Sequence, residues 1–321
     1  MRRYKRLVRT IFCGIAGSVL LMFGFLPMAG ADPFFVGPQR CVECHRAEHG
    51  VWEKSKHAMS FRDVHRKPEV KDIIAATGGN TNMRRNETCT ACHFTMTKAD
   101  TGAAANASVG PSCESCHGAS SDWLSVHNDY GGPAAKRDTE TPAHKAERLK
   151  KSAEAGMIHP IRLFDVANNC LSCHGLGRPG IAPETIAKMI DAGHPAGSEF
   201  ELARYSQGTI RHRFYPPNVN DNAEMTPAEL SRVFVTGHAA ALVQSSAAMG
   251  KASNPKFQET LKKIEASARA ALDSIKGQVP EAGALLAQPT EANARKLVDA
   301  IAGKDLSPQV GPKLPAKGNA K

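Results

Sequence analysis

The most regular alternation of apolar and polar positions lies late in the chain. Phe257, Leu261, Ile264, Ala268, Leu272 and Ile275 recur at helical spacing, and Leu297, Val298 and Ile301 form a second stripe after Thr290. Each segment is apolar on one face only, which predicts a C-terminal helical hairpin packed on the rest of the molecule. Upstream, Pro183 to Ala192 predicts a helix with proline in its first turn and Gly193 at its end. Thr226-Pro227-Ala228-Glu229 has the form of a capped helix start running to about Thr236. The first half is less regular. A helix is predicted from Cys41 through Trp52 towards Met59, and Lys145 to Gly156 is a short basic helix. Gly78-Gly79-Asn80 marks a turn, and residues 99–111 and 129–142 are loop-like.

At the N-terminus, Arg2, Arg3, Lys5, Arg6 and Arg9 precede an apolar run from Ile11 to Leu26, with Ala29-Gly30-Ala31 before Asp32. This is the form of a cleaved signal peptide over residues 1–31, and the run is shorter than the roughly 20 residues of a spanning helix. Arg2-Arg3 weakly suggests twin-arginine export, but Sec export suits a chain that is modified while unfolded. No stable membrane insertion is expected after cleavage.

Composition changes the picture of the core. Aromatic residues make up only 6% of the chain, while Gly and Pro total 47. That is thin material for a conventional core in the first half, so a bulky apolar group is needed to fill it.

The cysteines supply that group. Cys-x-x-Cys-His occurs four times, at Cys41-Cys44-His45, Cys89-Cys92-His93, Cys113-Cys116-His117 and Cys170-Cys173-His174, and uses eight of the nine cysteines. This is the attachment motif of c-type haem: two thiols add to the vinyl groups and the adjoining imidazole binds iron. A zinc ribbon does not require histidine directly after the second cysteine four times over. A disulfide across so short a spacing closes a strained ring. The ninth, Cys13, lies in the signal segment. The expected cofactors are therefore four covalently bound c-type haems, and the fold class is mainly α, a haem-packed multihaem cytochrome c with long loops plus the C-terminal helical hairpin. The motif histidines are 48, 24 and 57 residues apart, so the repetition is not a solenoid.

Charge then excludes one class. The formal charge is +10, but the signal holds five of the 41 Lys and Arg and no acid, which leaves 36 basic against 31 acidic residues. Eight haem propionates would cancel that excess, so nucleic-acid binding has no electrostatic support. The expected partners are redox proteins, a quinol dehydrogenase or a periplasmic oxidoreductase.

Each iron also needs a second axial ligand or an open site. Beyond the motifs there are nine histidines: His49, His57, His65, His127, His144, His159, His194, His212 and His238. If residues 45–57 are helical, His45 and His57 are roughly 18 Å apart, and His57 serves an iron other than the first.

The stretch from Cys41 to His57 with Trp52 and Ser55, the run Gly110-Pro-Ser-Cys-Glu-Ser-Cys-His-Gly118, and His127 ten residues past His117 resemble the tetrahaem cytochrome c-554 family, first known from ammonia-oxidising bacteria. The resemblance covers roughly residues 36–178. It implies that His57 ligates the third haem and His127 the first, that the second haem is five-coordinate, and that the fourth takes a histidine from the C-terminal part. His194, at a Gly-His-Pro helix end, is the choice for the fourth, with His212 and His159 next and His212 as the alternative cap of the second. The expected organisation is a signal at 1–31, a tetrahaem domain at 32–178, a helical extension at 179–306 and a disordered tail at 307–321. The function expected is periplasmic electron transfer between respiratory partners by tunnelling through close-packed haems. One rival is a reductase of a small nitrogen or sulfur oxide at an open iron, although no Cys-x-x-Cys-Lys motif is present. The other, a membrane-anchored quinol-oxidising cytochrome, requires the N-terminal segment to be kept.

Overall fold

The computed structural model describes residues 32–197, 200–208 and 210–314. The expected signal segment 1–31 and Cys13 lie outside them. The described chain is mainly helical, with one two-stranded sheet.

Near the N-terminus, the single helix expected through the first motif is broken into α1 (Pro38–Val42), α2 (Arg46–Glu53) and α3 (Lys56–Asp63). The break between α2 and α3 has a local cause: Ser55 is extended, and its hydroxyl accepts from the Ala58 amide to start a new helix. Gly78, in the left-handed region, then ends α4 (Val70–Thr77). Asn86 caps α5 (Glu87–His93) and its side-chain amide donates to the Gly78 and Asn80 carbonyls, which ties the second motif to the preceding turn. β1 (Thr95–Thr97) pairs antiparallel with β2 (Asn106–Val109).

The third motif forms α6 (Cys113–His117), held by a capping box between Ser112 and Ser115. α7 (Leu124–His127) and α8 (Pro142–Glu154) follow, and the fourth motif closes α9 (Leu163–His174). Three motif histidines are thus the last residues of their helices. Within a helical turn, positions i, i+3 and i+4 share one face, so Cys-x-x-Cys-His presents both thiols and the imidazole to one side.

After α10 (Pro183–Asp191) and α11 (Leu202–Gln207) comes α12 (Pro227–Met249), the longest helix, opened by a Thr226–Glu229 capping box. It extends well beyond the expected end near Thr236. Gly237 sits inside it because α11 comes close there: a Cβ on Gly237 would meet the Leu202 Cβ at 2.8 Å. α12 packs on α9 and on α13 (Pro255–Asp273), and α14 (Pro280–Ala287), α15 (Glu291–Ala300) and α16 (Ser307–Val310) complete that side. The two expected stripes lie on α13 and α15. The expected disordered tail does not begin at 307: α16 and a 3-10 turn at Gly311–Lys313 are ordered, and Val310 is fully buried.

The largest apolar cluster joins α9, α11 and α12 to α16, with Leu242, Leu272, Leu285 and Leu297 wholly enclosed. Among the described residues, the first half has a small cluster around Ile74, Met83, Cys89 and Phe94. No helix among the described residues is long and apolar enough to cross a membrane.

Within the C-terminal core, His238 packs on Phe234 with ring centres 4.3 Å apart, and burial, reinforced by Lys313, pushes its imidazole down to about 4. Between about pH 6.5 and 4 the unfolded chain takes up a proton that the folded chain refuses. The resulting penalty is absent above about pH 6.5 and grows to about 3 kcal/mol as pH falls towards 4. His238→Gln is expected to flatten the acid-side loss of unfolding free energy in denaturant titrations. An unchanged slope would place the acid sensitivity elsewhere.

Candidate functional site

Each motif histidine faces one histidine from elsewhere in the chain. The ring centres are 6.4 Å apart for His45 and His127, 6.2 Å for His93 and His194, 6.3 Å for His117 and His212, and 6.0 Å for His174 and His57. An imidazole nitrogen bonded to a metal at about 2 Å puts its ring centre about 3 Å from that metal. Two imidazoles on opposite sides of one atom therefore have ring centres about 6 Å apart. The four observed distances match that spacing.

The rings stand elsewhere than three expectations place them. His57 faces His174, not His117. The break at Ser55 turns α3 away from the line of α2, and α3 is seated so tightly that a Cβ on Gly110 would collide with the His57 carbonyl. His194 faces His93, not His174, because α10 packs on α4 so closely that a Cβ on Gly193 would lie 3.6 Å from the Glu69 side chain. His93 accordingly does not look onto an empty face. The ring opposite His117 is His212, which the sequence ranks after His194 for the fourth haem and offers as the alternative cap of the second. Each pair spans more than 80 residues of sequence, and no local signal could have matched them.

Backbone carbonyls orient several rings. A carbonyl oxygen only accepts, so the Nδ1 of His117 donates to Ile158 at 3.0 Å, that of His127 to Leu124 at 2.6 Å and that of His194 to Pro195 at 2.8 Å. In each case Nε2 is left as the metal-binding nitrogen. The loop carrying Ile158 is itself fixed to the third motif, since the Ile158 amide donates to the His117 carbonyl and Gly118 abuts the Gly156 carbonyl. Burial pushes His57, His93, His117, His127, His174 and His212 below the ordinary imidazole range, to about 4 for His93, His174 and His212. A neutral imidazole is the form that ligates. Phe200 stacks on His174 with ring centres 4.6 Å apart, a contact with no signature in the sequence.

The thiols lie beside these pairs and beside one another. Cys41 is within hydrogen-bonding reach of Cys113, and Cys92 of Cys173, while Cys116 lies close to Cys173. The hydrogen bond with Cys92, with help from Arg178, brings the Cys173 thiol down to about 6. A cavity of 570 Å³ runs between the second and fourth motifs, lined by Cys89, Cys92, His93, Cys173, His174, His57 and His194 and by apolar side chains including Ile74, Phe94, Ile186 and Met189. Protein interiors rarely leave such a void unfilled. Several buried donors have no partner: the Trp123 indole N–H, against His127 at 5.1 Å, and nitrogens of Arg211 and Arg213 on either side of His212. Orphaned buried donors are costly, and propionate carboxylates would satisfy them. Among the described residues no three His, Cys, Asp or Glu side chains converge on a bare metal site. Thiol pairs, opposed imidazoles, apolar void and orphaned donors all fit c-type haem.

Comparison with known proteins agrees. Residues 40–118 match the family described as cytochrome c554 and c-prime. The chain is 25% identical over 171 residues to cytochrome c-554 of Nitrosomonas europaea, covering 51% of this chain and 67% of that protein. A stretch of 40 residues is 40% identical to the dissimilatory sulfite reductase MccA of Wolinella succinogenes, but it spans 12% of this chain and 6% of that protein. No solved structure matches the chain. With a mainly helical fold built around Cys-x-x-Cys-His motifs, the chain is similar over residues 40–118 to the cytochrome c554 family of multihaem c-type cytochromes.

Proposed function

We propose that the protein is an exported tetrahaem electron carrier in which every iron is closed by two histidines. The observation that carries this reading is the set of four histidine pairs at 6.0–6.4 Å. Bound haem supplies a one-electron Fe(III)/Fe(II) couple. The chain's own residues supply the rest. The cysteines would hold each haem covalently, and the opposed imidazoles would ligate its iron. The neighbouring thiols give an order of sites: Cys41 and Cys113 interact across the first and third, Cys116 and Cys173 feel each other's charge across the third and fourth, and Cys173 and Cys92 interact across the fourth and second. The path through the molecule is thus first, third, fourth, second, which is not the order of the sequence. His57 reaches from the first-motif region to the fourth site and braces two sites that are not neighbours on that path against each other.

A reductase of a small nitrogen or sulfur oxide needs an open coordination position, and His194 opposite His93 argues against one at the second site. Export through a Sec signal, a periplasmic location and exchange of electrons with a quinol dehydrogenase or a periplasmic oxidoreductase complete the proposal. Haem analysis and electron paramagnetic resonance of the oxidised holoprotein test it. Four haems per chain, all low-spin and unresponsive to cyanide, are expected. A high-spin signal from the untreated protein, or fewer than four haems, overturns it.

A further inference from the structure

Haem propionates accompany every site alike, so differences between sites must come from the protein. Near the first and third sites the unbalanced charges are negative. Glu114, only 1% exposed, accepts from the amides of Val36 at 2.9 Å, Gly37 at 2.7 Å and Ser120 at 2.9 Å and from the Ser120 hydroxyl at 2.5 Å. Every contact donates into it, which is the environment of a carboxylate. No Lys or Arg lies within ion-pair distance of it among the described residues, and its field reaches both Cys41 and Cys113. Glu48 lies 3.5 Å from His45 Nδ1, and its field reaches His212. The cations nearby are already balanced, Arg148 by Glu140 at 2.6 Å, Arg211 by Glu224 at 3.4 Å and Arg213 by Glu229 at 2.8 Å.

Near the second and fourth sites the unbalanced charge is positive. Arg178 donates only to neutral groups, Asn169 Oδ1 at 3.4 Å and Ser172 Oγ at 3.1 Å, and no acid pairs with it among the described residues. Its field reaches both Cys92 and Cys173. Lys67, Glu69 and Glu87 also line the cavity there, but all three are exposed to screening water.

Building on the carrier reading, we propose that these fixed charges polarise the path. Glu114 and Glu48 hold the first and third irons at lower potential, and Arg178 holds the fourth and second at higher potential. An anion favours the ferric state, which carries one more positive charge than the ferrous state, and a cation does the reverse. The first site is also the accessible one: Cys44 is exposed, unlike the other seven motif cysteines, and the His45 side chain is 53% exposed. A one-electron reductant protein therefore delivers each electron to the first ferric site. The electron moves downhill to the second and fourth sites, where it waits for a one-electron acceptor.

Potentiometric titration of the holoprotein followed by haem absorbance tests this with Glu48→Gln, Glu114→Gln and Arg178→Gln. Glu48→Gln and Glu114→Gln are expected to raise the two lowest midpoints, and Arg178→Gln to lower the two highest. Each shift should correspond to about a tenfold change in the reduction equilibrium, or 59 mV for one electron. If loss of the buried carboxylate prevents folding, Glu48→Gln and Arg178→Gln decide the matter alone. Shifts of the same sign, shifts spread equally over all midpoints, or no shift with four low-spin haems intact would overturn the polarity. A wild-type protein without four low-spin haems would instead overturn the carrier reading beneath it.

Discussion

Replacing His194 by Ala is expected to convert one of four low-spin haems to a high-spin form that binds cyanide and nitric oxide. The pairing of His194 with His93 at 6.2 Å leaves no other histidine in place to close that iron. The ligand sits on a short connection between Gly193 and Gly197, both in the left-handed region, and its Nδ1 is tied only to its neighbour Pro195. Truncation should thus leave the helices intact and cost little stability. About a quarter of the haem should change spin state, with new absorption in the charge-transfer region and a cyanide-sensitive signal. A variant that stays fully low-spin and inert to cyanide would show that His194 is not the ligand.

What the sequence made legible was the chemistry confined to a single turn. Cys-x-x-Cys-His is local: the helix end at His93, His117 or His174 is itself the device that aims thiols and imidazole together. The C-terminal stripes were equally plain, because one apolar face of α13 and of α15 is buried. The choice of opposing histidine was not legible. It depends on where α3, α10 and the 210–213 stretch come to rest, and each of these is placed by contacts distant in sequence: Gly110 under α3, α4 against α10, and Asn222 joined to the backbone of Arg211 and Arg213. Thr236-Gly237 reads as a helix end because glycine usually closes helices. Here its missing side chain lets α11 approach, and the helix runs on to Met249.

Ring pairing and charge polarity arise from different parts of the molecule. Pairing rests on ring positions set by backbone elements. Polarity rests on Glu114, whose carboxylate staples the N-terminal segment at Val36 and Gly37 to the third motif and to Ser120. A residue within one haem-binding motif thereby fixes the segment that leads into another, which couples the packing of the first and third sites to their electrostatics.

The cross-connection made by α3 should be the most sensitive structural joint. His57→Ala is expected to turn one haem high-spin, and so is His212→Ala, while the double variant should show two. That count tests whether His57 and His212 close different irons. If His57 capped the third iron together with His117 and His212 ligated none, His212→Ala would stay low-spin and add nothing to His57→Ala. The observed pairs, His57 with His174 and His212 with His117, require additivity. Gly110→Ala examines the same joint without touching a ligand. The added Cβ would collide with the His57 carbonyl and come within 2.8 Å of the Ser60 hydroxyl, so α3 must move as a body. Overpacking of this kind typically costs about 1–3 kcal/mol. Gly110→Ala should therefore lower the unfolding midpoint and produce a partial high-spin signal that His57→Ala already contains, so the combination should give one high-spin haem and not two. A second high-spin haem in that combination would mean that Gly110 supports a different site.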